Sequence, residues 1–187
     1  MVIAVRPATP EDAAEIAAIY KPYVEGATVS FELKAPDERT MRARMAASDG
    51  YYPWLVVTEG EGGAVLGYAY ATKFRDRPAY QYTIETGVYL AQGTQGRGNG
   101  RQLYDALIDT VRAQGFTHAI SVIALPNDHM IRLHESVGFR STGILREAGY
   151  KAGRWVDVGF WQVRLNDATI PPREPKPFSE IGMVWNW

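Results

Sequence analysis

The sequence predicts an α/β (α+β) domain, a seven-stranded sheet flanked by about four helices. Three observations carry that expectation. A strand-like run at residues 83–90 passes through a glycine-rich turn into a helix-like run that ends near residue 114. Short apolar or alternating runs recur along the chain and are interleaved with helical patterns. At 187 residues, with 46% hydrophobic and 22% charged side chains, the chain suits one domain with a sizeable core.

The elements are expected in the following order. Residues 2–6 form a short apolar strand. Thr9-Pro10-Glu11-Asp12 then starts a helix: threonine suits the N-cap, proline the first helical position, and the acids the positive helix end. Ala13, Ile16, Ala17 and Tyr20 give that helix one apolar face, and Pro22 lies near its end. Thr28-Val29-Ser30-Phe31-Glu32 is a mixed polar and aromatic loop, read either as a surface connection or as one wall of a substrate pocket. Pro36-Asp37-Glu38 opens a second helix to about residue 47, with Met41 and Met45 on one face.

Residues 54–58 and 64–72 read as a β-hairpin around the glycines of 59–63. The charged connection Lys73-Phe74-Arg75-Asp76-Arg77-Pro78 leads to a fourth strand at 80–90. Leu103, Leu107, Ile108 and Val111 form the buried face of the third helix, which Gly115 stops. A fifth, continuously apolar strand is expected at 119–125 and a short helix at 127–137. The last strands, at 139–144 and 155–165, are joined by a loop around Ala148-Gly149-Tyr150-Lys151. The domain is expected at 1–166. Residues 167–187 form a proline-rich, extended tail ending in Val184-Trp185-Asn186-Trp187, which docks on the domain or on a neighbouring subunit.

The turn that follows the fourth strand reads Gln95-Gly96-Arg97-Gly98-Asn99-Gly100-Arg101. Glycines at alternate positions leave little bulk and allow close approach to the backbone. The helix behind them exposes its first N–H groups and the positive end of its dipole, so the whole is a cradle for phosphate. Arg97 and Arg101 can add charge-assisted hydrogen bonds. A Walker A loop is excluded because no Gly-Lys pair occurs, and the dinucleotide fingerprint fails because its third glycine would fall on Arg101.

What remains, Gln95-x-x-Gly98-x-Gly100, resembles the pyrophosphate loop of the GNAT superfamily of N-acetyltransferases. Asn127 opening a helix after the fifth strand, and Gly138-Phe139 after that helix, are similar too. Within the superfamily, Thr28-Val29-Ser30-Phe31, Leu125-Pro126-Asn127-Asp128, Arg132-Leu133-His134-Glu135 and Asp157-Val158-Gly159-Phe160-Trp161-Gln162 look like the phosphinothricin and methionine sulfoximine acetyltransferases. The resemblance implies a mixed, mostly antiparallel sheet splayed between strands four and five. It implies acetyl-CoA as donor, a glutamate-like amino acid as acceptor, and a homodimer.

It also implies the site. Backbone groups around Val88, Tyr89 and Leu90 bond the acetyl carbonyl and the pantetheine arm. Gln95, Gly96, Arg97, Gly98, Asn99, Gly100 and Arg101 hold the diphosphate, while Asn127 and Ser136 meet the cofactor, with helix capping or solvent contact as alternatives. Glu85 is the general base, direct or through water; its alternatives are an exposed strand carboxylate, or a charge that only holds the substrate ammonium. His134 stands seven residues after Asn127, where many members have tyrosine. It is an acid toward the thiolate, a second base, or a buried histidine bonded to backbone. Phe31, Arg75, Asp76, Arg77, Glu85, Thr86 and Gly87 form the acceptor pocket, the arginines matching carboxylate or phosphinate by their fork. Tyr150, Lys151 and Arg154 are expected to reach across a subunit interface.

A net charge of -1 shows no bulk drive toward nucleic acid or anionic membrane. The absence of cysteine excludes disulfides, a thiol nucleophile and thiolate metal sites, and no metal is expected. No targeting or membrane-spanning run is visible, so the expectation is cytoplasmic. Two other readings stay open: acetylation of a different small amine, and an acyl-CoA-binding regulatory module. Arg75 and Arg77 argue against a polyamine, which needs an acidic pocket. The pair Glu85 and His134 argues against a module without chemistry.

Overall fold

A computed structural model describes residues 3–185. Its centre is a seven-stranded sheet in the order β1-β2-β3-β4-β5-β7-β6. In chain order the elements are β1 (Ile3–Pro7), α1 (Ala13–Glu25), α2 (Glu38–Ala46), β2 (Trp54–Glu59), β3 (Val65–Lys73) and β4 (Thr83–Leu90). They continue with α3 (Asn99–Gln114), β5 (His118–Leu125), α4 (Asp128–Ser136), β6 (Arg140–Lys151), β7 (Arg154–Arg164) and a single turn, α5 (Phe178–Ile181). Only β4 and β5 run parallel; every other neighbouring pair is antiparallel.

The expected order of elements holds, with several boundaries moved. Val2 lies outside the described residues. Thr9-Pro10-Glu11-Asp12 makes a short 3₁₀ turn before α1, because the Asp12 carboxylate takes the Thr9 N–H at 2.7 Å and the Arg6 guanidinium at 2.7 and 2.8 Å. β4 begins at Thr83, three residues late, since Pro78–Tyr80 is itself a 3₁₀ turn. The largest correction concerns residues 148–151, expected as a loop. They belong to β6, and the turn is the pair Ala152-Gly153, at φ 52° and 75°. Two consecutive left-handed residues make the tightest hairpin compatible with strand twist.

The helices pack on both faces of the sheet. Leu103, Leu107 and Val111 of α3 are buried against Leu55, Ala69, Ile84 and Val88. Ile16, Tyr20 and Val24 of α1 join Met41 of α2 over Val56 and Tyr68 on the other face. Burial along β4 alternates residue by residue, which sends Ile84, Thr86, Val88 and Leu90 to the α3 face and Glu85, Gly87 and Tyr89 to the α1 face.

The tail docks on its own domain. Gln114 donates through Nε2 to the carbonyls of Tyr51 and Lys176, both at 2.8 Å, and the Val184 carbonyl accepts from Thr110 at 3.1 Å. Phe178, Met183 and Trp185 pack against the α3 core, whereas Asn186 and Trp187 lie outside the described residues. Among the described residues no helix is long and apolar enough to cross a membrane.

Candidate active site

The site begins where two strands part. β4 and β5 pair only from Thr83↔His118 to Glu85↔Ile120. Beyond Glu85, β4 is paired as a strand with β3 alone; the Thr86 hydroxyl still reaches the Ile120 carbonyl at 3.4 Å, and past it one row of backbone groups faces a gap. The Ala91 N–H is spent on Leu66 of the β3 side, at 2.8 Å. Directions alternate along a strand, so Tyr89 also faces β3, while the amides of Val88 and Leu90 face the gap. The Leu90 carbonyl is already taken by the Tyr23 hydroxyl at 2.6 Å. Val88 N–H is thus the donor left open nearest Glu85. The expectation for residues 88–90 narrows to two amides, because Tyr89 is turned the other way.

The cleft between the parted strands is lined by Val29, Tyr70, Glu85, Gly87, Val88, Ser121, Asn127 and His134, among others. Glu85 is two-thirds covered, and desolvation pushes its carboxyl above the usual range, with Arg75 acting in the opposite direction. The Arg75 guanidinium lies 3.8 Å from the Glu85 carboxylate and 4.1 Å over the Phe74 ring. Asp76 turns away from the cleft to Lys73, at 2.7 Å, and Arg77 stands exposed at the start of the following turn.

Of the expected acceptor residues, Thr86 and Gly87 line the cleft with Glu85, whereas Phe31 does not. Phe31 lies outside the cleft lining and packs on Gly149; Val29 of the same loop takes the place beside Glu85. Thr86 points toward α3 and shares a hydrogen bond of 2.8 Å with Tyr104. Gly87 has no side chain to offer, and its α-carbon is covered by the ring of Tyr70. Tyr70 was not singled out from sequence; its alternation with Tyr68 on a strand was the available signal.

His134 is 2% exposed. Its Nδ1 lies 2.8 Å from the Met130 carbonyl, which can only accept, so Nδ1 carries the proton. Nε2 is then the acceptor for the Ser121 hydroxyl at 2.7 Å. Burial lowers the imidazole to about 4, against a smaller upward pull from the Met130 carbonyl. His134 is therefore neutral at pH 7, with both nitrogens occupied. Ser121 is the residue missed here: its position on a strand looks like core until α4 folds over it.

The glycine-rich turn has the form a diphosphate needs. Gly96 and Gly98 hold φ of 77° and 84°, and a methyl group added at either would meet nothing within 4 Å. Gly98 is the N-cap of α3, no side chain caps that end, and the first helical bond runs from Gln102 N–H to the Gly98 carbonyl. The amides of Asn99, Gly100 and Arg101 precede that bond and belong to the open helix end. Two side chains brace the turn: Gln95 Oε1 accepts the Gly93 N–H at 2.9 Å, and buried Asn99 donates to the Thr94 carbonyl at 3.4 Å. Arg97 is exposed. Arg101 is engaged with Asp105 at 2.7 Å, so it is less available to an anion than its place in the motif suggests. Asn127 caps α4, its Oδ1 accepting the Met130 N–H at 3.2 Å while its amide group still lines the cleft. The exposed Ser136 hydroxyl donates to the Leu133 carbonyl at 2.7 Å and lies outside the cleft lining.

A splayed β4/β5 pair, an open anion cradle behind it and a desolvated carboxylate at the point of parting define an acyl-CoA-dependent transferase. The chain belongs to the GNAT family of acetyltransferases: the model of the acetyltransferase (GNAT) domain matches residues 5–159. It is an N-acetyltransferase with acetyl-CoA as donor, and the cradle and freed amides fit that donor. A phosphinothricin N-acetyltransferase of Streptomyces viridochromogenes is 41% identical over 179 residues, 96% of each chain. An L-methionine sulfoximine/L-methionine sulfone acetyltransferase of Pseudomonas paraeruginosa is 34% identical over 92% of this chain and 100% of its own. A GNAT superfamily phosphinothricin acetyltransferase from Sinorhizobium meliloti, solved in complex with AcCoA, superposes with a TM-score of 0.85 at 34% identity, covering 97% of this chain and 96% of its own.

Proposed function

We propose that this enzyme acetylates the α-amino group of a small glutamate-like amino acid or analogue, the class that includes phosphinothricin, methionine sulfoximine and methionine sulfone. The observation that carries this reading is the position of Glu85. A desolvated carboxylate stands at the mouth of the splay, 3.8 Å from an arginine and on the strand that bears the open Val88 amide. A zwitterionic acceptor matches that pair: its ammonium faces Glu85 and its carboxylate faces Arg75. Arg77, exposed two residues after Arg75 in the chain, is assigned to the distal phosphinate, sulfoximine or sulfone group.

Glu85, directly or through a water, takes one proton from the ammonium, and the free amine attacks the thioester carbonyl. The developing oxyanion lies toward the Val88 N–H, an arrangement worth about 2.7–4 kcal/mol where such a donor is preorganised. As the C–S bond breaks, the nitrogen gives up a second proton, either to the departing sulfur, which leaves as thiol, or to water, the sulfur then leaving as thiolate. Neutral His134 supplies no proton of its own. Its part is to hold Ser121 and the cleft wall. The diphosphate is held by backbone amides of residues 98–101 with Arg97, and Asn127 meets the pantetheine arm.

The same reading includes a homodimer. Large apolar side chains stand exposed on the last three strands: Val122 at 38%, Leu145 at 54%, Tyr150 at 60% and Trp155 at 63%. Burying such a patch against a second copy removes it from water.

Initial rates of thiol release with phosphinothricin, methionine sulfoximine, methionine sulfone, glutamate and spermidine test the substrate. The first three are expected to exceed ordinary amino acids in kcat/KM by at least tenfold. A preference for spermidine would overturn the reading, and sedimentation of the enzyme as a monomer would overturn the dimer.

A further inference from the structure

Lys151 is a lysine that the fold buries, with 9% of its surface exposed. Its ammonium donates to the carbonyls of Val24 and Ser30, each at 2.6 Å. The Val24 carbonyl belongs to the last turn of α1, the negative end of that helix. Among the described residues no carboxylate is bonded to this ammonium. Burial pushes its pKa down, and Glu32, at longer range, pushes it up. A cation taken out of water is costly unless its protons are placed, so two short bonds to carbonyls fix the geometry of what they join.

They join the tip of the β6–β7 hairpin to the segment of residues 26–32. Four other residues reach the same segment. Arg154, across the turn, donates to Thr28 Oγ1 at 3.0 Å. The Phe31 ring lies so close on Gly149 that a methyl there would sit 2.3 Å from Phe31 Cε2. From the opposite side, Tyr20 shares a bond of 2.6 Å with Ser30 Oγ and donates to Glu32 at 2.9 Å, and Arg44 holds Glu32 by a fork at 2.7 and 2.8 Å. Val29 sits in the middle of the clamped segment and lines the cleft with Glu85.

We propose that Lys151 is a positioning residue for the acetyl acceptor: by tying Val24 to Ser30 it sets where Val29 stands, and so the width of the cleft at Glu85. The contact lies within one chain, where the sequence had suggested a reach across subunits. The proposal rests on the reading that the acceptor amine meets Glu85, but not on which amine it is.

Lys151→Met keeps the length of the side chain and removes its donors. Its test uses the amine that the unaltered enzyme acetylates fastest, whichever that is. KM for that acceptor should rise roughly tenfold, the scale of a hydrogen bond to a charged group, while kcat and KM for acetyl-CoA stay within about twofold. Gly149→Ala approaches the same segment from Phe31 and leaves the ammonium in place; it should give the same split. Urea unfolding of both variants shows whether they fold. If Lys151→Met does not, Gly149→Ala decides. An unchanged acceptor KM in a folded variant, or equal rises in KM for acceptor and for acetyl-CoA, would overturn the proposal. A fastest amine that is not an amino acid would overturn the substrate assignment and leave the test of Lys151 standing.

Discussion

The ring of Tyr70 lies across the α-carbon of Gly87, so that a β-carbon at residue 87 would sit 2.6 Å from Tyr70 Cε1. The two residues are partners across β3 and β4, and Tyr70 stacks in turn on Trp54, with ring centroids 4.6 Å apart. Burial keeps the phenol neutral. Glycine at 87 is thus the condition for a flat aromatic floor next to Glu85. Gly87→Ala should push the ring out of place and lower kcat/KM for the acceptor by about tenfold, with a smaller change for acetyl-CoA. Steady-state kinetics with each substrate varied in turn would show it. Equal kinetic constants for the variant and the parent enzyme would contradict this role.

Glu85→Gln removes the proposed base and keeps the shape. At neutral pH kcat should fall by roughly 10²–10⁴-fold, with acetyl-CoA affinity by calorimetry nearly intact. The folded carboxyl holds its proton more tightly than the unfolded one, through desolvation first. Acceptor kcat/KM in the parent enzyme should therefore decline on the acid side at a pH above the ordinary carboxylate range, and that limb should vanish in the variant. The stabilising contribution of a raised carboxyl is complete below its unfolded pKa and lost as pH rises through the folded one. Glu85→Gln should accordingly raise the urea midpoint at pH 7. A lower midpoint would mean that the ionised carboxylate stabilises the fold.

His134 runs the other way. Its folded value of about 4 lies below the unfolded 6.5, so the native protein resists a proton that the unfolded chain accepts. Stability is full above pH 6.5 and falls as pH drops toward 4, by about 3 kcal/mol from this one group. The urea midpoint of the parent enzyme should drop more steeply between pH 7 and 4.5 than that of His134→Gln. Parallel curves would show that His134 titrates normally. Catalysis should lack an acid limb from imidazole near 6.5.

Gly98→Val tests the cradle. Residue 98 has φ 84°, in the left-handed region, and opens onto empty space where the diphosphate is assigned. A β-branched side chain is strained at that φ and fills that space. Coenzyme A affinity should fall by at least tenfold in calorimetry. Unchanged affinity in a folded variant would place the nucleotide elsewhere.

Much of this protein is legible in one dimension. The alternation of β4, the apolar stripe of α3 and the run of glycines between them are local patterns, and each acts through neighbouring residues. They suffice for the strand–turn–helix unit, for the phosphate cradle and for Glu85 on a strand beside it. Asp37 and Asn127 at helix starts are legible for the same reason: a cap bonds three residues onward.

The rest depends on which distant segments meet. Nothing local says that Ser121 would stand 2.7 Å from His134, whose part the sequence leaves between acid, second base and buried histidine. Nor does it say that Tyr70 would cover Gly87, or that Lys151 would reach back to Val24 across 127 positions. The protonation of an imidazole, the width of a cleft and the burial of an ammonium are set by desolvation and by partners brought from elsewhere in the chain. Sequence pattern carries backbone conformation and the kinds of chemical group available; the energies of those groups arise when packing removes water and chooses their neighbours.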